Sequence, residues 1–419
     1  MPFDRGLDLS LSLQEHLVQY LHFSYIPDFA MANDFAKFLR ELDIVPIIER
    51  DEDTLIELGI EAWNNSFESI PQGTHVVPIT SGLDSRAILG TLLQYFPAQD
   101  IQTVTFGLPH TWDYEIGKKI AKKVGTRHIS INLLHIQPTL RQIEEHAQNL
   151  PPLPILDHYY YSQIFREFST DVIYWSGHMG GAISGVHTLD NETELSWNEA
   201  TNLFIAQNRY PEFSINKEET NLYEFFPSNP YLNKNSISYY DQLNLMIRQH
   251  CYLGQFLMPD GYTFAAPFIH PSWLRFMLAV PPEARKDRHL YKRLLIKMFP
   301  SLFSLPTNRN IGLSLRSPRW RRKLQKIIRR SIIENLPNFL SIRYPNPRLK
   351  YVDYYSLLRQ NTSLRNLVWT SLERLKKRNI VRWIDIEDIL SRHQIGVESH
   401  SRTLLTLMGV DIFLECFSP

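Results

Sequence analysis

VVPITSGLDSRAILGTLL, residues 76–93, decides the fold class. Apolar Val76, Val77 and Ile79 run into a small polar turn, Thr80, Ser81, Gly82, Asp84 and Ser85, and a helical pattern restarts at Arg86. A strand that ends in such a turn and continues as a helix leaves backbone N–H groups aimed at one point, backed by the positive end of the helix dipole. That arrangement suits a phosphate. Hydroxyls at Thr80, Ser81 and Ser85 add donors, and Asp84, which would repel a bare phosphate, makes sense beside a bridging divalent cation. A plain strand-to-helix turn capped by Thr80 or Ser81 is the other reading of the same residues.

Outward from this turn, strands and helices alternate between His75 and about Leu189. Strands are predicted at Val76–Ile79, Thr103–Phe106, His128–Leu133 and Val172–Trp175. Helices are predicted at Arg86–Tyr95, Glu115–Val124, near Leu140–Ala147 and at Asp157–Phe168. Such alternation predicts an α/β fold, a doubly wound parallel sheet with ligand at the C-terminal strand ends. Residues 1–70 read as a helical, linker-like segment with apolar spacing at Leu13, Leu17, Tyr20 and Leu21 and a second run at Leu55–Trp63. Residues 71–190 form the α/β core, and 191–419 read as an additional mostly helical region.

TSGLDSR resembles the SGGLDS signature of the N-type ATP pyrophosphatases, the PP-loop enzymes with a HUP-like sheet, and specifically the synthetase domain of asparagine synthetase. TVTFGLP (103–109), followed by Asp113, Glu115, Ala121, Gly125 and His128, resembles that family's second strand and helix. YWSGHMGGAISG (174–185) resembles its SGEGADEVFGG segment. The run from Ala265 to Pro300 resembles its PFLD and K-x-x-L-R stretch, and LSLQEHLVQYLHFSYIP (11–27) resembles the linker that follows the glutaminase domain in full-length relatives. The five segments keep the family's order from about residue 10 to the low 300s.

This resemblance implies an ATP-dependent amide-forming ligase: a carboxylate is adenylated with release of pyrophosphate, and ammonia or an amine displaces AMP. It implies that Ile79 and Phe106 contact adenine, and that Thr80, Ser81, Gly82 and Ser85 cradle pyrophosphate. Asp84 would bind Mg2+ in a catalytic role, Ser176 and Gly177 would border the nucleotide, and Lys292 would be the catalytic lysine. A solvated helix face is the alternative for Lys292, which sits among Arg285, Lys286, Arg288, Arg293 and Lys297. Asp113 and Asp157 stand near helix starts, where an N-cap role competes with catalysis.

The departures from the pattern also carry meaning. Ser81 replaces a glycine of the loop. In SGHMGGA (176–182), His178 replaces the glutamate associated with the acyl-adenylate step, and Gly181 and Ala182 replace the acidic pair that supplies the second metal ligand. Phe264, Ala265 and Ala266 stand where an arginine precedes PFLD, and His270 replaces its aspartate. His178 and His270 read as structural or as polar substrate contacts. Pro2 stands where the glutaminase domain has its nucleophilic cysteine, so the expected nitrogen donor is free ammonia, ammonia from a separate glutaminase or biosynthetic partner, or an amine on a substrate. The substrate is expected to be a small-molecule or peptide carboxylate. A nucleotide-binding pseudoenzyme or scaffold subunit is the alternative, motivated by the lost acidic pair.

Composition narrows the classes further. Among 419 residues, 44 basic and 44 acidic side chains balance, which argues against a nucleic-acid partner. Two cysteines, Cys251 and Cys416, without C-x-x-C or H-E-x-x-H, argue against zinc, iron–sulfur and thiolation chemistry and point to a cytoplasmic setting. No run approaches the roughly 18 apolar residues of a membrane span. The basic cluster Arg319, Arg321, Arg322, Lys323, Lys326, Arg329 and Arg330, interleaved with Leu324, Ile327 and Ile328, predicts a surface helix with its apolar side packed inward. Leu404, Leu405, Leu407, Met408, Ile412, Phe413 and Leu414 predict a packed terminal helix, and Tyr159–Tyr161 a buried aromatic group.

Overall fold

The computed structural model describes residues 13–48, 50–148, 150–189, 194–210, 221–234, 237–256, 262–310, 312–328, 352–396 and 398–417. The chain enters through α1 (Leu13–Phe23), α2 (Phe29–Glu41) and α3 (Glu52–Asn65). Asp28 and Asp51 start the last two, each accepting a backbone N–H three residues on, from Met31 at 2.8 Å and Thr54 at 2.9 Å.

The α/β core follows as β1 (Thr74–Pro78), α4 (Asp84–Tyr95), β2 (Ile101–Gly107), α5 (Trp112–Val124), β3 (Arg127–Asn132), α6 (Leu140–Ala147), α7 (Ile155–Ser162) and β4 (Val172–Trp175). With β5 (Thr263–Ala265) these strands make one five-stranded, all-parallel sheet in the order β3-β2-β1-β4-β5. Val76, Val172 and Tyr174 face one side with Val104, while Val77, Ile173 and Trp175 face the other, the period-two alternation of a strand. Helices α4 and α5 cover the second side through Ala87, Ile88, Leu92, Ile116 and Ile120, and Ile164 and Phe165 cover the first. Burial on both faces explains the apolar centre of β1 and the unbroken run of β4, while β3 at the sheet edge is half-buried and polar.

Three expectations meet differences. The helix expected over Asp157–Phe168 ends at Ser162, and a separate 3₁₀ turn, Phe165–Glu167, turns Phe165 onto the sheet. Strand β5 was not foreseen, because three residues beside a proline carry no readable period. It pairs Trp175 with Ala265.

After α8 (Gly180–Ile183) and α9 (Trp197–Asn208), α10 (Tyr239–Leu243) continues as a π-helix to Tyr252. Then come α11 (Pro271–Ala279), α12 (Pro282–Arg285), α13 (His289–Met298), α14 (Arg319–Ile328), α15 (Tyr354–Gln360), α16 (Thr362–Arg378), α17 (Ile386–Ile395) and α18 (Ser401–Phe417). The third difference lies in α14. Leu324, Ile327 and Ile328 are 49%, 62% and 37% exposed rather than packed inward. Periodicity identifies side chains that share a face; it does not supply a surface to receive them. Arg329 and Arg330 lie outside the described residues.

The N-terminal helices share their core with the rest. Helix α3 packs on α11 and α13. Its Trp63 is fully buried against Phe67, Phe268 and Trp273, and its indole N–H donates to Thr91 Oγ1 of α4 at 2.7 Å. Helix α1 packs on α18, where Leu404, Leu407 and Met408 are buried as the apolar run predicts. Tyr159 and Tyr160 are buried in the same cluster. Among the described residues no helix is long and apolar enough to cross a membrane.

The contact between α1 and α18 is tight enough to test. A Cβ on Gly409 would stand 1.9 Å from the Tyr20 hydroxyl oxygen, which donates to Leu153 O at 2.9 Å. Gly409→Ala is expected to cost about 1–3 kcal/mol by overpacking. Tyr20→Phe, which removes the colliding oxygen, should recover part of that loss in the double variant. Urea unfolding of the two single variants and the double variant checks this; strict additivity would contradict the contact.

Candidate functional site

From β1 the chain steps outward to β2 and β3, then crosses back to place β4 on the other side of β1. The strand order therefore reverses between β1 and β4, and in open parallel sheets the connections that leave the C-terminal strand ends diverge there to form a crevice. The turn after β1, residues 79–83, leads into α4, and the turn after β4, residues 176–179, meets the start of that helix at Asp84 and Ser85. The approach is close. A Cβ on Gly177 would lie 3.0 Å from Asp84 Cβ, and one on Gly180 would lie 2.7 Å from Asp84 Cγ. Glycine at both positions lets the second turn rest on the first turn of α4.

Within the first turn, the alternative capping role of Thr80 or Ser81 is not what forms. Helix α4 has no side-chain cap, and its first helical hydrogen bond runs from Ala87 N–H to Leu83 O. Thr80 Oγ1 instead accepts from Gly82 N–H at 3.0 Å, and Thr80 N–H approaches Ser85 Oγ at 3.4 Å. Ser81 turns toward α5: its N–H donates to Asp113 Oδ1 at 3.2 Å, and its hydroxyl donates to the same oxygen. Asn308 Nδ2 reaches that oxygen at 3.4 Å. Asp113 is thus no N-cap, since Thr111 holds that position in α5. It is an internal anion seated on the loop.

Two buried arginines brace the turn, and neither was singled out from the sequence. Arg86 donates to Ser81 O at 3.2 Å and to Pro306 O at 2.8 Å, with longer bonds to Leu302 O and Leu305 O. Burial lowers its pKa to about 10, so it remains charged at neutral pH. Arg288 forms an ion pair with Asp84, donates from Nε to Ser184 Oγ at 2.9 Å, and stacks over the Tyr291 ring at 4.7 Å. The Tyr291 hydroxyl is fully buried, and burial followed by the neighbouring Asp84 charge holds its pKa well above the ordinary phenol value.

The remaining predicted residues fall in different places. Lys292 donates to Asp287 O at 2.6 Å; the cation paired with Asp84 is Arg288, one helical turn earlier. Ser176 is buried and accepts from His178 N–H at 3.1 Å. Ile79 is fully buried in the cluster on the α4–α5 side of the sheet, whereas Phe106 packs with Tyr161 on the opposite side. The two do not form one wall for adenine. His270 caps α11 by accepting from Ser272 N–H at 3.3 Å, the structural reading. Asp157 accepts from Tyr354 Oη at 3.0 Å.

The buried polar groups beside the loop limit what this edge can accommodate. Asn308 Oδ1 is buried with no hydrogen bond beside Asp113, and the Tyr291 hydroxyl is buried against Asp84 and Arg288. The N-terminus of α4 and the Thr80 and Ser85 hydroxyls fit an anionic ligand such as a nucleotide phosphate, whereas Asn308 Oδ1 can only accept. Mg2+ on Asp84 fits poorly, because that carboxylate already has a guanidinium partner. Among the described residues no group of three His, Cys, Asp or Glu side chains could hold a metal ion.

Two outcomes follow. Gly180→Ala should cost about 1–3 kcal/mol by driving a methyl into Asp84, whereas Gly181→Ala, whose nearest neighbour is 3.8 Å away, should cost little. Chemical denaturation distinguishes them. Burial lowers the pKa of His178 to about 3, with His250 beside it further disfavouring its charge, and burial lowers that of His250 to about 4. Unfolding restores both toward the ordinary value near 6.5, so the unfolded chain binds more protons between the two limits and stability falls as pH drops from about 6.5 toward 4. His250→Gln should flatten that slope in urea titrations at pH 7 and pH 5. No family model matches the chain, and no curated protein matches it in sequence.

Proposed function

We propose that the chain is an ATP-dependent carbon–nitrogen ligase of the asparagine synthetase type, with a PP-loop, HUP-like core. One observation carries the reading: the TSGLDS turn after β1 and the SGHMG turn after β4 face each other where the strand order reverses. The N-terminus of α4 and the hydroxyls of Thr80 and Ser85 would receive the triphosphate, joined by Ser81 on its release from Asp113. Ser176 and Gly177 would border the reacting α-phosphate. A carboxylate oxygen attacks that phosphorus, the bond to pyrophosphate breaks, and ammonia or an amine then attacks the acyl carbon and releases AMP. The protein's contribution is to hold the phosphates in line and to keep water from the activated acid.

The acid would be a small-molecule or peptide carboxylate, and the nitrogen would come from ammonia, an amine or a separate partner. Two free cysteines accord with a cytoplasmic setting. A second reading, a nucleotide-binding scaffold without turnover, is favoured by two contacts: Asp113 occupies the Ser81 donors, and Arg288 occupies Asp84.

Incubation with ATP, Mg2+ and a panel of carboxylates plus ammonia should release pyrophosphate and AMP together. ADP and phosphate as the products would exclude the ligase. ATP binding without turnover across the panel would favour the scaffold. Asp113→Asn weakens the internal anion and is expected to tighten ATP binding several-fold, a gain of about 1 kcal/mol, read by calorimetry.

A further inference from the structure

We propose that Arg288 is the resident counter-ion of Asp84 and stands in place of a divalent cation, so that this loop takes its ligand without a metal held by the protein. The inference deepens the nucleotide-site reading and rests on it for the ligand's identity, but the ion pair itself stands on the geometry.

The Asp84 carboxylate is hemmed in on two sides. Arg288 Nη2 pairs with Oδ1, and the side chains are 4% and 22% exposed. On the β4 side, the backbone at Gly180 comes so close that a methyl there would lie 2.7 Å from Asp84 Cγ and 3.0 Å from Oδ1. Mg2+ requires near-octahedral oxygen ligands at about 2.1 Å and keeps several waters. Among the described residues hydroxyls are at hand, but a second carboxylate is not: Gly181 and Ala182 carry no side-chain oxygen, and Asp113 is engaged by Ser81 and Asn308.

Arg288 meanwhile does what a bridging cation would do. It joins Asp84, which follows β1, to Ser184, which follows β4, and its guanidinium lies over the Tyr291 ring. The backbone that delivers it is strained. Asp287 and Arg288 have φ of 53° and 61°, consecutive left-handed residues that are not glycine. Such conformations persist only where surrounding contacts hold them. The buried arginine and its three partners are those contacts.

The test uses the full chain and Mn2+ as the metal probe, without nucleotide, followed by the loss of the free-ion electron paramagnetic resonance signal. Wild type and Asp84→Asn should bind Mn2+ equally, within twofold. A wild-type site at least tenfold tighter and lost in Asp84→Asn would overturn the proposal. Thermal unfolding of Asp84→Asn, Arg288→Met and the double variant should show a double loss smaller than the sum; additive losses would also overturn it. Arg288→Lys serves where Arg288→Met does not fold. In calorimetry, ATP should bind within threefold in EDTA and in Mg2+, whereas tenfold tighter binding in Mg2+ that requires Asp84 would count against the inference. Absence of ATP binding in both would sink the function reading, and the Mn2+ titration and variant cycle would still decide the ion pair.

Discussion

One charge pair, Asp84 with Arg288, governs how the two halves of the crevice meet. A buried arginine and a mostly buried carboxylate are each costly to desolvate, and together they are tolerable only with good geometry and further hydrogen bonds. Ser184 and the Tyr291 ring supply those contacts. The pair draws the segment before α13 onto the start of α4, while Gly177 and Gly180 let the turn after β4 close against it. Arg86 does the same on the other side, tying Ser81 to residues 302–306.

The rest of the molecule supports that edge from below. Trp63, Phe268 and Trp273 lock α3, the turn before α11 and α11 itself together beneath α4, and Phe67 stacks on Trp175 at the end of β4. Aromatic contacts of this kind add about 0.5–1.5 kcal/mol per pair beyond area burial. A segment that reads as a linker in one dimension is therefore part of the wall that positions the turn after β4.

The alternation of strands and helices was legible because each carries its own period, and β1 to β4 lie within a few residues of where the apolar pattern puts them. The TSGLDS turn was legible as a strand-to-helix junction because glycine and short hydroxyl residues favour turns. Strand β5 was too short to show a period. Arg288 was hidden among five neighbouring cations, Arg285, Lys286, Lys292, Arg293 and Lys297, and only burial separates it from most of them. Asp113 looked like a helix cap because nothing local reveals that its partner is Ser81, thirty-two residues away.

Local order therefore came from the sequence by itself: the α/β class, the approximate bounds of β1 to β4 and the place of the small, hydroxyl-bearing turn at Thr80–Ser85. These follow from side-chain period, turn chemistry and residue identity, which need no third dimension. Tertiary structure alone decided which charge answers Asp84, which anion sits on Ser81, and that Ile79 and Phe106 lie on opposite faces of the sheet. Those outcomes depend on long-range approach and on desolvation, and a charge's partner in a buried site is chosen by what can reach it without water.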